Sequence, residues 1–372
     1  MNKKIIWGVV SVIAVVVIIF VASRQGQPDG QTLPNNIIKV GVIAPLTSYM
    51  AEFGEATKNG IFLAEINSVK NNKVQFIFED SAYDPKKAIS AYNKLANIDK
   101  VDMIIDWGSA TTQAEASIVK NFPNIPLISI SSMTSASVQN ENIIRFFERP
   151  NTFANEAWGH LRKLGLKKIA IIKTQNQWLN SVYEEQVSQA RSDESIDLVD
   201  DVVSFSDMDF RTAIAKIKNS KTKYDAVGVY LGSGQIGQFY KQASEVGLNV
   251  TTFGTDFFES QSDIDTAGGG MNGAFYPQYD VSPAFKDNYY KEYRNYNQIV
   301  YAGLAYDLAK IIIEKNEIKS GSTLMSYLKS VVNEPGVIGS YTYKTNSSDS
   351  DRYMQIPLHI KEVRDFKINT LY

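Results

Sequence analysis

The chain has 372 residues, 44% of them hydrophobic and 21% charged, an ordinary globular composition with room for two domains. With 38 Lys and Arg against 40 Asp and Glu the formal net charge is −2, so no basic surface for nucleic acid is expected. Cysteine is absent and the only histidines are His160 and His359. Disulfides and thiolate metal sites are thereby excluded and a histidine metal centre or general base is disfavoured; only a carboxylate-based metal site stays open, and no cofactor is expected.

Lys3 and Lys4 precede an uncharged, Val- and Ile-rich run over residues 5–22. We read it as an uncleaved N-terminal anchor helix rather than a cleaved signal, with the lysines inside and the rest outside the cytoplasmic membrane. Residues 1–30 are then signal or anchor and the start of a polar tether that carries Gly26, Pro28, Gly30 and Pro34.

Residues 37–44 form a continuously apolar first strand, as a parallel sheet buried on both faces requires. A helix is predicted over about 52–69 and a second strand over 73–78, ending at Glu79-Asp80. Asp84-Pro85 is an N-cap followed by Pro at the first helical position, and Ala88, Ile89, Tyr92, Leu95 and Ala96 make the apolar stripe of the next helix. Residues 101–134 read as strand, polar turn, helix, strand, polar turn: one βαβ unit with parallel strands. Its two turns carry Ser109, Thr111 and Thr112, then Ser131, Ser132 and Thr134. Ligands of open α/β sheets sit beyond the carboxyl ends of the strands, so these hydroxyls suit a small anion such as a carboxylate. Their other reading is that they only cap helices.

After an apolar run at 143–147 the pattern starts over. Helices are predicted over 152–164 and 179–191 and strands over 168–174 and 198–205. A helix bearing Phe210, Ile214 and Ile217 follows. Strand 225–231 then enters Gly232-Ser233-Gly234, and strand 250–253 ends in Gly254-Thr255-Asp256. A crossing strand over 271–279, helices within 283–315 and over 323–332, and late strands at 337–344 and 357–363 complete the chain. Strands and helices alternate in two successive sets, which predicts an α/β fold of two doubly wound, Rossmann-like lobes. Tyr301 and Tyr306 lie on a helical stretch and are expected in the core. Gly268-Gly269-Gly270 lacks a leading strand and a following Lys, so it is no phosphate loop. No nucleophile–base pair or metal cluster is visible, and the chain is not expected to be an enzyme.

The order and spacing of several stretches resemble one family. They are IKVGVIAPLT with Phe53-Gly54 downstream, EDSAYDPKKA from Glu79, GSATTQAEA from Gly108, PLISISSMT from Pro126, KKIAIIKTQNQW from Lys167, IGQFYKQASEVGL from Ile236 and FGTD from Phe253. Over about residues 38–363 the chain resembles a type I periplasmic binding protein of the branched-chain (leucine/isoleucine/valine) amino-acid group, the substrate-binding component of ABC importers. The resemblance implies two lobes joined by three crossover segments, with residues 37–147 and 279–350 in lobe 1 and 148–278 and 351–372 in lobe 2. It also implies a small amino acid or similar zwitterion or carboxylate clamped between the lobes by hinge closure, and delivery to a membrane permease.

Residue by residue, the resemblance puts Ser109 on the ligand carboxylate, Ser132 and Thr134 on its carboxylate and ammonium, and Asp256 against the ammonium. Phe53 and Trp178 match aromatic walls. Cysteines that some members pair near the pocket are replaced by Tyr83 and Gly108, so that loop is expected to be held by packing. Gly232-Ser233 stands where the family often has an aromatic residue, which implies a roomier or more polar pocket. The same fold serves receptors, so a ligand-sensing domain of a signalling system is the alternative function.

Overall fold

The computed structural model describes residues 37–68, 73–131, 134–192, 197–203 and 207–372. The expected anchor at 5–22 and the tether lie outside the described residues, as does Ser132. Among the described residues no helix is long and apolar enough to cross a membrane.

The first half is built on an eight-stranded sheet. Its parallel part comprises β1 (Ile38–Ala44), β2 (Val74–Asp80), β3 (Met103–Trp107), β4 (Leu127–Ile130) and β5 (Ile143–Arg145) in the order 2-1-3-4-5. Register pairs Val40 with Met103, Ile104 with Leu127 and Leu127 with Ile143. The central strands β1 and β3 to β5 are buried along almost their whole length. β2, at the edge, is half-buried, which is why its sequence VQFIFED mixes apolar with polar residues. Helices connect the strands: α1 (Ala51–Asn67), α2 (Pro85–Lys94), α3 (Ser109–Val119) and α4 (Thr134–Gln139). Asp84 caps α2 as its sequence predicts, accepting from the Lys86 and Lys87 amides at 2.8 and 2.9 Å.

The second half repeats the plan. β6 (Lys168–Thr174), β7 (Asp197–Val203), β8 (Ala226–Tyr230), β9 (Thr251–Phe253) and β10 (Phe275–Gln278) lie in the order 7-6-8-9-10, the same winding as 2-1-3-4-5. They alternate with α5 (Pro150–Lys163), α6 (Gln177–Ser192), α7 (Arg211–Lys218), α8 (Gln235–Val246) and the short α9 (Gln261–Thr266). The chain then returns to the first half. α10 (Pro283–Tyr293), α11 (Ile299–Glu314) and α12 (Gly321–Ser330) precede β11 (Glu334–Gly336), β12 (Gly339–Thr345) and β13 (Arg352–Gln355), which extend the first sheet beyond β5. α11 crosses α1 where Gly60 meets the backbone of Ala302; a Cβ on Gly60 would stand 2.0 Å from the Ala302 carbonyl oxygen. β14 (His359–Arg364) and β15 (Lys367–Thr370) finish the seven-stranded second sheet, with β14 antiparallel to β10.

Strand membership thus changes sheet three times: after β5, after β10 and after β13. Both sheets are mixed, because strands that arrive late pair antiparallel with a neighbour. One expected boundary needs correction. Residues 352–355 were assigned with the second lobe, yet β13 pairs with β12 and, through Tyr353 and Arg145, with β5. Burial explains the position. Asp351, fully buried, accepts from Arg145 Nε at 3.1 Å and Nη2 at 2.5 Å, and Arg149 Nε lies 3.1 Å away. An ion pair enclosed in this way fixes the strand beside β5.

Candidate functional site

In a 2-1-3-4-5 sheet the connections leave in opposite directions from β1 and β3, which opens a crevice at their carboxyl ends. Both sheets turn this edge toward one small cavity with about 20 Å³ of free space, little more than one water molecule needs. From the first half come Met50 after β1, Tyr83 after β2, Trp107, Gly108 and Ser109 at the end of β3, Ile130 and Ser131 at the end of β4, and Phe147 after β5. From the second come Trp178 after β6 and Phe257 after β9; Tyr301 on α11 completes the wall. None of these side chains carries a charge.

Ser109 opens α3 as its first residue, and Gly108 before it has φ +129°. Only glycine fits there: a Cβ would stand 2.8 Å from both the Tyr83 ring and Thr111 Oγ1. Tyr83 packed on Gly108 therefore holds this loop without a disulfide. Asp80 helps to shape the turn before it, accepting from the amides of Leu46 (2.9 Å) and Ala82 (2.8 Å) and from Thr47 Oγ1 (2.6 Å).

The other hydroxyls of the two turns divide. Thr111 and Thr112 point inward and donate to Asp106 Oδ2 at 2.9 and 2.6 Å. Ser129 bridges Thr112 (2.6 Å) and Ser131 (2.8 Å), so a chain of hydroxyls runs from the cavity wall to a fully buried carboxyl. Glu115 lies buried nearby with neither carboxyl oxygen hydrogen-bonded. Burial, and then the field of Asp106, hold its carboxyl well above the usual range.

Asp256, in the single turn of 3₁₀ helix at Asp256–Glu259, is fully buried and is not on the cavity wall. It sits behind it. Trp178 Nε1 donates to Oδ1 at 2.6 Å, and the Tyr301 hydroxyl donates to Oδ2. Burial pushes the carboxyl up to about 6, and these two hydrogen bonds hold it below where burial alone would put it. Phe53 is likewise one layer back: it is fully buried in α1, with ring centroids 4.8 Å from Trp107, 5.2 Å from Tyr301 and 5.4 Å from Phe257.

Of the six residues predicted for the site, Ser109 and Trp178 reach the cavity, and Asp256 and Phe53 support its wall. Ser132 lies outside the described residues; Thr134 starts α4, and its side chain is not described. At the end of β4 the hydroxyl on the wall is that of Ser131. Tyr301 was expected in the core; it is buried, but it also faces the cavity and Asp256. Gly232 and Ser233 are not on the cavity wall; the Ser233 hydroxyl donates to Glu52 instead. Trp107 and Phe147 end or follow strands of the predicted central sheet, so the strand-end rule that singled out Ser109 would also have found them.

Two halves of like topology, carboxyl edges facing across one cavity and crossovers between them, define a cleft-type solute-binding protein. The sequence profile of periplasmic binding proteins matches residues 37–346, and the chain belongs to that family. Within it, the type I, leucine/isoleucine/valine group is the one the chain resembles. The Leu/Ile/Val-binding protein of Escherichia coli K12 is 24% identical over 261 residues, 67% of this chain and 70% of that protein. The solved leucine-binding protein of Thermotoga maritima superposes with a TM-score of 0.78 at 17% identity, covering 90% of this chain and 98% of that one. A solute-binding protein of an ABC transporter from R. palustris, solved with 4-hydroxybenzoate, gives a TM-score of 0.76 at 20% identity, covering 89% and 94%. The family is one of binding proteins, in keeping with the expectation that the chain is no enzyme.

Proposed function

We propose that this chain is the extracytoplasmic solute-binding protein of an ABC-type importer. Its ligand is an amino acid or a similar small zwitterion or carboxylate, taken into the cleft by hinge closure and passed to a membrane permease. The observation that carries the reading is the meeting of both carboxyl-terminal sheet edges at one uncharged cavity, with Ser109 at the start of α3 on its wall. Backbone amides and the positive end of that helix favour a carboxylate. Ser131 completes this end, and Trp178, backed by Asp256, covers the other. Relatives bearing the names of leucine and 4-hydroxybenzoate share the carboxylate and differ in the rest. In this reading residues 37–147 with 279–356 make one lobe and 148–278 with 357–372 the other. Residues 5–22 tether the protein to the outer face of the cytoplasmic membrane.

A thermal-shift screen of the soluble part against amino acids, short amides and aromatic carboxylates tests it. A ligand at 100 times its Kd adds about 2.7 kcal/mol to the native state, a shift of several degrees. Ser109→Ala should then weaken the hit about tenfold or more, the loss of one hydrogen bond to a charged group. If no small carboxylate raises the melting temperature, the reading is wrong.

A further inference from the structure

Six aromatic rings, those of Tyr83, Trp107, Phe147, Trp178, Phe257 and Tyr301, contribute to the cavity wall. Four centroid contacts of 5.5–6.0 Å string five of them into one continuous surface, Tyr83 to Trp107 to Tyr301 to Phe147 to Trp178. Immediately behind two of them lies the carboxyl of Asp256, with both oxygens taken by protein donors. Among the described residues no cation pairs with it. The acidic neighbour whose field it feels, Glu259, is held by Lys361 at 2.6 Å, so that pair cancels and Asp256 is left as an unbalanced negative charge beside the cavity.

That combination discriminates between kinds of cation. A primary ammonium brings three N–H donors into the cavity, and each needs an acceptor. The Asp256 carboxylate lies behind Trp178 and Tyr301 and already accepts from both, so it does not meet the guest; the Tyr301 hydroxyl, its proton given to Asp256, can accept from one of the three. The wall hydroxyls of Ser109 and Ser131 lie at the end suited to an anion. A quaternary ammonium brings no donors; it is held by the faces of aromatic rings, Trp above all. Indole N–H and phenol O–H groups that donate to a carboxylate gain electron density in their rings. Asp256 thus adds its charge to the cage without touching the guest.

Resting on the reading of this cleft as the solute site, we infer that the solute is a zwitterion of the betaine type. Its carboxylate lies at Ser109 and its fully N-methylated ammonium against the Trp107, Trp178 and Tyr301 rings.

The test is a methylation series on the unaltered soluble protein, glycine, N-methylglycine, N,N-dimethylglycine and glycine betaine, read by calorimetry and by the fluorescence of the cavity tryptophans, with leucine and benzoate alongside. Affinity should rise along the series, with glycine betaine at least tenfold tighter than glycine, and Trp178→Leu should reverse most of that gain. Binding that is flat or falls with methylation overturns the inference, whatever the variant does. If leucine or benzoate binds while glycine betaine does not, the inference falls and the reading of the cleft stands. If none of these solutes binds, the inference falls, and the reading of the cleft falls with it only if the wider screen of small carboxylates also fails.

Discussion

Ser233 donates its hydroxyl to Glu52 Oε1 across 3.0 Å, joining the turn after β8 in the second half to the first turn of α1 in the first. Gln298 Nε2 donates to the same oxygen at 3.1 Å. Burial raises the Glu52 carboxyl above its ordinary range, and both donors oppose that rise. On the proposed hinge closure, a bond between the two halves forms only with the cleft shut and so adds directly to the closed population. Ser233→Ala should lower the fraction of closed molecules and weaken solute binding up to about tenfold, because apparent affinity scales with the competent fraction. Small-angle scattering of the free protein should show a larger radius of gyration. An unchanged affinity and radius would mean the contact contributes nothing to closure.

The ion cluster beside β5 is the most exacting part of the fold. Arg145 and Asp351 are both fully enclosed. The Ser137 hydroxyl also donates to Asp351 Oδ1. Asp351→Ala strands the Arg145 guanidinium without its partner, at a cost of about 3–5 kcal/mol. Urea denaturation should show that loss in the midpoint, and a loss below about 1 kcal/mol would contradict the enclosure described here.

Gly60→Ala places a methyl against the Ala302 carbonyl oxygen, where backbone rather than a movable side chain must yield. Overpacking of this kind costs about 1–3 kcal/mol, and it outweighs the gain in helix propensity of roughly 1 kcal/mol. The melting temperature should fall. Gly159→Ala, on α5 with open space around its Cβ position, is the control and should hold or raise it.

Stability should also carry the signature of Asp256. Its folded carboxyl titrates near 6, above its ordinary 3.8. Between those values the native state keeps a proton the unfolded chain has lost. The stabilisation is therefore complete below about pH 4 and is lost as pH rises through about 6. While this one group titrates the slope is at most about 1.4 kcal/mol per pH unit. Asp256→Asn removes that contribution and leaves those of the other buried carboxyls in place. Denaturation curves at intervals from pH 4 to 7 should therefore be less pH-dependent in the variant. Equal pH dependence in the two proteins would mean that Asp256 is not the buried acid its surroundings make it.

What the amino-acid order determined by itself was the sequence of strands and helices and the edge on which a solute would be met. Runs such as IKVGVIA and KIAIIKT are long, apolar and bounded by turn residues, and alternation with helices forces parallel pairing. Ser109 stands directly after such a strand, so local pattern was enough to single it out; Trp178, which follows another, was singled out by the family resemblance. The tertiary structure alone decided what has no local signal. β11, β13 and β15 are three or four residues long, with no apolar alternation strong enough to announce a strand; pairing with neighbours distant in the chain makes them strands. The same holds for Asp256, whose partners lie 78 and 45 residues away. A carboxyl at a strand end reads alike whether it meets a solute or the wall around one, and only long-range packing of α6 and α11 against it settles which groups it holds.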